Sequence, residues 1–352
     1  SADFKLGSQI SCGSNIKVTV ASSGEGATLD GQEQTRLFYL TGGCSLTLRG
    51  LTLVNGRSAG SGGVVEARNA GDVEIIDSDV RDCSATYNGG VVAAASSGAV
   101  SIIGSTVSGC SAADGGVVRA YDSGVVSISG SNVSGCSAGY WGGGVYAIGS
   151  GVVSISNSTV ARCSAGEYGG VVYADLSGAV SLIGSTVTEC SAGDLQRATA
   201  ASPVRYGGQY GGVVYMRENS GAVSLINTTV TCCSAGESGG VVYAEGSGAV
   251  SIIGSTVSGC SAQDGGVVNA YYSGAVSIIR SNVRGCSARN AGGVARVAYN
   301  GAVSIIGSEV SGCSAGQVGG ATYMYDSNLI VTDSTISGCN ATRGGAVYVD
   351  SG

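Results

Sequence analysis

Short runs in which apolar and polar residues alternate recur along the whole chain, each closed by Gly or Ser. In residues 239–263 the runs are GVVYA, AVSII and STVSG, and residues 89–115 repeat them as GVVAA, AVSII and STVSG. A period of two, carried by Val, Ile, Thr and Tyr, predicts β-strands. No stretch shows the 3.6-residue apolar period of an amphipathic helix. The alternation also assigns faces, because successive side chains of a strand point to opposite sides. Val242 and Ala244 are expected to point inward with Tyr243 outward, Val250 and Ile252 inward with Ser251 outward, and Val257 inward between outward Thr256 and Ser258.

The unit repeats in register. Its cysteine returns at Cys83, Cys110, Cys136, Cys163, Cys190, Cys233, Cys260, Cys286, Cys313 and Cys339, every 26 or 27 residues except for one longer step between Cys190 and Cys233. That step is one period plus a 16-residue insertion, placed at 194–209. An earlier copy at 50–61 carries Arg57 at the cysteine position, which makes eleven copies. One copy of three short strands cannot bury its apolar face alone, whereas stacked copies bury a continuous core. The expected fold is therefore all-β, a three-sided parallel β-helix of about 11–12 coils, with residues 1–49 as an N-terminal cap with irregular first coils and residues 50–352 as the repetitive solenoid. At about 4.8 Å per coil the rod is on the order of 50 Å long.

The GGVV or GGAV start of each copy and its VxxC end, Val107 to Cys110 or Val257 to Cys260, resemble the paired GGAI and FxxN repeats of the polymorphic outer membrane protein family. Here Cys takes the Asn position and Val or Ile the Phe position. The resemblance implies a right-handed parallel β-helix and a surface adhesin. The opening segment, LDGQEQTRLFYL at 29–40 followed by SLTLRGLTLVNG at 45–56, resembles the first coils of pectin-lyase-like β-helices.

Outward slots suggest contact surfaces. The slot of Tyr243 is filled by Tyr146, Tyr173, Tyr215 and Tyr243 in four consecutive copies. Such a ladder either stacks on itself, stabilising the solenoid locally, or forms a contact strip for sugar or a neighbouring molecule. The second Ile of AVSII, as in Ile103, Ile183 and Ile306, reads as a corner or a lateral interface. Thr and Ser fill outward slots at 106/108, 186/188, 229/231 and 256/258. Asn132, Asn282, Arg284 and Glu309 interrupt that array, which favours ordinary solvated β-surface over ice binding.

Composition narrows the chemistry. The 352 residues include 63 Gly and no His, with a net charge of −7. Without imidazole there is no Ser-His-Asp or Cys-His machinery and no His-ligated metal. An acidic balance argues against a nucleic-acid partner, and no apolar run is long enough for a membrane-spanning helix. Zinc-like cysteine spacings are absent, so no metal or other cofactor is expected. Stacked ladder cysteines would lie about 4.8 Å apart, which allows either disulfides or buried reduced thiols. Cys12 and Cys44 lie outside the ladder and are a candidate disulfide of the cap; Cys232 reads as an exposed thiol.

Asp72, Glu74, Asp77, Asp79 and Asp82 with Arg81 form the densest charge cluster, either solvated surface or the start of a Ca²⁺ or catalytic site. The insertion offers Arg197, Arg205 and Tyr206, with Tyr210 just after it, as a contact loop, since long loops on rigid scaffolds often carry function. The sequons at Asn132, Asn157, Asn227 and Asn340 are glycosylation candidates if the chain is secreted, although four is close to the number expected by chance. The last copy stops after one strand, an open edge that implies either a fragment of a longer chain or a second molecule that covers it in a head-to-tail contact. These features favour an extracellular or cell-surface structural or adhesive protein. It would be a fibre or filament subunit whose partners are its own copies and carbohydrate. A polysaccharide lyase or hydrolase is the alternative, and ice binding a distant third.

Overall fold

The computed structural model describes residues 2–22, 26–193, 208–299 and 302–351, and within them the chain is a right-handed parallel β-helix of about twelve turns with no helices. All neighbouring strands are parallel and come from successive coils. Each of the three expected strands of a copy builds its own sheet. The tyrosine strands, such as Val145–Ile148 and Val172–Asp175, form a 13-stranded sheet. The VSII strands, such as Val100–Ile103, form a 12-stranded sheet, and the TVS strands, such as Thr106–Ser108, another of 13 strands. A fourth ladder of 10 short strands follows the cysteine, as at Ser164–Ala165 and Ser137–Trp141.

Residues 1–49 join the same sheets. Ala2–Lys5, Ile10–Cys12 and Lys17–Ala21 are the first strands of the three large sheets and pair in register with the strands of the next coil. The insertion expected at 194–209 lies outside the described residues up to 207, and with it Arg197, Arg205 and Tyr206. The sheets run on across it: Tyr173 pairs with Tyr215 as Tyr146 pairs with Tyr173.

Inward slots are filled as the alternation requires. Val242, Ala244, Val250, Ile252 and Val257 are all buried, and their equivalents continue the same rows along the rod. Cys12 and Cys44 are disulfide-bonded. The ladder cysteines are free thiols, nine of them buried and Cys339 half-buried. Each donates to the carbonyl two residues before it, at 3.3–3.7 Å, as Cys83 to Arg81 and Cys163 to Ala161. Burial holds the Cys190 thiol well above its usual pKa. The ladder is therefore a stack of small apolar groups with a satisfied S–H. Eleven thiols should react with a disulfide reagent once the protein is denatured, and chiefly Cys232 in the native state. Fewer than eleven in the freshly purified, unreduced protein would show that ladder cysteines are bridged.

Two serine staircases tie the corners together. At the corner between the VSII and TVS strands, each backbone N–H donates to the serine hydroxyl of the next coil at 3.1–3.2 Å, from Ser78 through Ser105, Ser131 and Ser158 to Ser185. The pattern resumes from Thr228 through Ser255, Ser281 and Ser308 to Ser334. Each hydroxyl turns back on the carbonyl two residues before it, as Ser158 on Ser156. A second staircase runs from Ser97 through Ser123, Ser150 and Ser177 to Ser220 at the other end of the VSII strands. Buried N–H groups that the sheets cannot use at a bend are thus satisfied by the coil above.

From Val65–Arg68 to Thr322–Tyr325, the bend after each strand of the tyrosine sheet holds a left-handed residue: Asn69, Ser96, Asp122, Gly149, Leu176, Asn219, Gly246, Tyr272, Tyr299 or Asp326. Gly, Asn and Asp adopt this conformation readily. Leu and Tyr do so at a cost of about 1 kcal/mol or more.

Candidate functional site

The outward tyrosines do not face open solvent. Tyr146, Tyr173 and Tyr215 are 4–5% exposed, with Tyr243 half-buried beside them. Their rings follow one another at 5.0, 5.1 and 5.3 Å. Of the two readings of the ladder, self-stacking holds, and a second row of rings covers what would otherwise be an exposed strip. Trp141, Tyr168 and Tyr210 each precede the Gly-Gly pair of their copy and pair from coil to coil as isolated bridges. Their rings lie over the inner row, Trp141 on Tyr146 at 5.5 Å, Tyr168 on Tyr215 at 4.8 Å and Tyr210 on Tyr243 at 4.6 Å. An aromatic directly before Gly-Gly in three consecutive copies was the signal available in the sequence.

The Gly-Gly turn makes this double row. Gly169 has φ +65°, and a Cβ on Gly170 would run into the carbonyls of Gly212 and Ser191 in the next coil. Only two glycines let the chain fold back tightly enough to set the outer row against the outward face of the following strand. The result is a double row parallel to the rod axis, with the outward slots as its inner row and the residue before Gly-Gly as its outer row; the outer row covers the inner one where it is aromatic, and a groove opens where the side chains are small.

The double row changes character along its length. Its centre is aromatic, and Glu167 accepts a hydrogen bond from the indole N–H of Trp141 at 3.1 Å. Burial pushes the Tyr173 hydroxyl up to about 12 and the Tyr146 and Tyr215 hydroxyls further, so the row stays neutral. Towards the N-terminus the two rows become Asp114 and Arg119, then Asn88 and Ala93, then Ser61 and Glu66. The small Ala93 leaves a cleft of about 230 Å³ lined by Glu66, Arg68, Asn88, Ser96 and Arg119. Glu66 is buried and paired with both Arg36 and Arg68. The Arg119 guanidinium sits 4.9 Å from the centre of the Tyr121 ring, and its Nε lacks a hydrogen-bond partner, as does Asp114 Oδ1. Towards the C-terminus Asp264 and Asn269 follow, and Asn269 accepts from Arg296 at 3.5 Å. Burial raises the Asp264 carboxyl while Arg296 opposes it.

Burial also raises Asp114, to about 6, against the pull of Arg119. A carboxyl whose folded pKa lies above its unfolded value favours folding most below the unfolded value, and that contribution is lost as pH rises through about 6. Asp114→Asn is therefore expected to be more stable than the parent at pH 8, by on the order of 1–2 kcal/mol, with the difference vanishing near pH 4. Urea midpoints measured across that range check this; a difference independent of pH would contradict it.

The other expected residues are dispersed. The acidic cluster does not converge: Asp79 pairs with Arg81 at 3.0 Å, Glu74 accepts from Thr47, Asp72 accepts from the Ala99 amide, and Asp77 and Asp82 occupy left-handed bends. Among the described residues no group of three acids or cysteines is placed to hold a metal ion. Asn132, Asn157, Asn227 and Asn340 are all exposed, the first on a TVS-type strand and the next two at left-handed bends. Tyr210, expected in a contact loop, belongs to the outer row of the groove. Ile103, Ile183 and Ile306 are exposed at the ends of their strands.

No protein-family model matches the chain. No curated protein matches it either. Among solved structures it is similar to a mutant of an alginate lyase of the PL6 family, at 10% identity and a TM-score of 0.18, over 95% of this chain and 77% of that one.

Proposed function

We propose that this chain is a rigid rod of an extracellular structural or adhesive protein, a fibre subunit that stacks coil on coil. The observation that carries the reading is the pair of serine staircases at the two ends of the VSII strands. Over their runs they tie each coil to the next by hydrogen bonds, which stiffens a stack of units that are marginal alone. Apolar inward positions in the first and last coils, Phe4 and Ile10 at one end and Val331 and Val349 at the other, are exposed. The repeat resemblance to surface adhesins supports the same location, and the four exposed sequons are compatible with it. Carbohydrate is the second partner, with the half-exposed outer aromatic row as its contact.

The polysaccharide-active alternative draws on one observation, the cleft over Ala93 with Arg119 and, beside it, Asp114, whose Oδ1 has no hydrogen-bond partner. An assay separates the two. Incubation with acidic and neutral polysaccharides should release neither reducing ends nor unsaturated sugars, and the native protein should be recovered outside the cell. Turnover that is lost in Asp114→Asn and Arg119→Ala would overturn the structural reading in favour of an enzyme.

A further inference from the structure

At the bend that follows the tyrosine strands, neighbouring coils place Tyr272 and Tyr299 in the left-handed conformation, at φ 47° and 59°. Most other coils put Gly, Asn or Asp at this point, such as Gly149, Asn69 and Asp122, residue types that the conformation tolerates, and two put Ser96 and Leu176 there. Strain of this kind persists where something else is gained, and it gathers at functional positions. Here the gain is display. The two rings are 54% and 37% exposed and stack on each other, with centroids 4.9 Å apart and 11° between their planes. Tyr271 stands edge-on to Tyr272 at 4.5 Å and Tyr325 edge-on to Tyr299 at 4.9 Å, so four phenols gather at one corner.

We infer that Tyr272 and Tyr299 are a site of oxidative cross-linking, at which the two phenols couple into a dityrosine that ties one coil to the next. The oxidant is hydrogen peroxide acting through a haem peroxidase. Each phenol gives up one electron and one proton, leaving two phenoxyl radicals. Their unpaired density lies partly on the carbons ortho to the hydroxyl, and a carbon–carbon bond forms between one such carbon on each ring. The hydrogen on each bonded carbon then moves to its oxygen, restoring both phenols. The two electrons and two protons reduce one peroxide to two waters, so the sum is two tyrosines and one peroxide giving one dityrosine and two waters.

Geometry selects this pair. The tyrosines of the groove are stacked as closely, but Tyr146, Tyr173 and Tyr215 are buried and shielded from an oxidant in solution. Half-buried Tyr271 and Tyr325 touch the pair at 4.5 and 4.9 Å but stand edge-on to it, and half-buried Tyr210 and Tyr243 lie 4.6 Å apart; these are the competitors. Exposed Tyr121 has Arg119 against its face instead of a phenol. A stacked pair also needs no encounter between radicals, because the second radical forms beside the first. The ladder cysteines are unbridged, so the bond would be a covalent link between coils of the repeat, complementing the serine staircases. The inference rests on the extracellular reading only for the source of peroxide; the reactivity belongs to the fold.

The test uses the purified chain at low concentration with a haem peroxidase and limiting peroxide. The expected result is dityrosine fluorescence, an intact mass lower by two hydrogens with no change in oligomer size, and a digest in which the Tyr272 and Tyr299 peptides are joined. Tyr272→Phe and Tyr299→Phe should each bring the fluorescence to background, while Tyr243→Phe leaves it unchanged. Circular dichroism of the Phe variants shows whether they fold. No product, a cross-link mapping to any other pair, such as Tyr271 with Tyr299 or Tyr210 with Tyr243, or a product formed only between molecules would overturn the inference. None of these outcomes depends on whether the protein builds fibres.

Discussion

Replacing Arg36 by Met will destabilise the N-terminal coils by about 3 kcal/mol, the scale of an uncompensated buried charge. Glu66 occupies the outward slot of its strand, yet it is buried at 4% exposure beneath Arg36 and Arg68. Arg68 is largely solvated, whereas Arg36 is itself mostly covered and also donates to Ser58 at 3.0 Å. Without Arg36, the carboxylate keeps one partner that water already competes for. The double variant Arg36→Met with Glu66→Gln should recover most of the loss, because a neutral amide does not need a cation. Native-state hydrogen exchange at Val65 and Val92 is the appropriate measurement, since solenoids open locally. A single variant that costs less than about 1 kcal/mol would mean that water reaches Glu66 and that the N-terminal end of the groove is not closed.

The second large effect is expected at the Gly-Gly turn. Gly170→Ala should cost about 3 kcal/mol, at the upper end for overpacking, and should loosen the outer aromatic row. Its Cβ would sit against the backbone carbonyls of Gly212 and Ser191, which belong to strands and turns of the next coil and cannot rotate away. Gly285→Ala is the matched control: φ is +59°, but nothing lies within 4 Å of the added Cβ, so only the conformational penalty of about 1 kcal/mol applies. Thermal and urea unfolding of the two variants separate crowding from backbone strain. Equal losses would show that the turn relaxes and that the spacing of the groove is not set by its glycines.

Much of this architecture was legible in the alternation. The inward rows of Val, Ile and Cys and the register of the copies follow from a period of two within strands and of 26 or 27 between them. The fourth ladder was not legible, because strands of two residues such as Ser164–Ala165 are too short to show a period. Residues 1–49 looked irregular because their loops differ in length, yet backbone pairing continues there whatever the side chains are. The tyrosines were placed on the correct face but given the wrong exposure. Alternation tells in from out within one sheet; it does not show that a turn brings a second row over the outer face. The stacked pair Tyr272 and Tyr299 was missed for a related reason: neither lies in a strand, and only the left-handed bend aims them at each other.

The central claim is that coils stack into a rod and rods into a fibre. Electron microscopy of unheated native material tests it most directly. Twelve coils at about 4.8 Å make a rod on the order of 60 Å. The account predicts continuous filaments with an axial period of that order, built of rods joined end to end. Dispersed rods with free ends, unchanged as concentration rises, would contradict it.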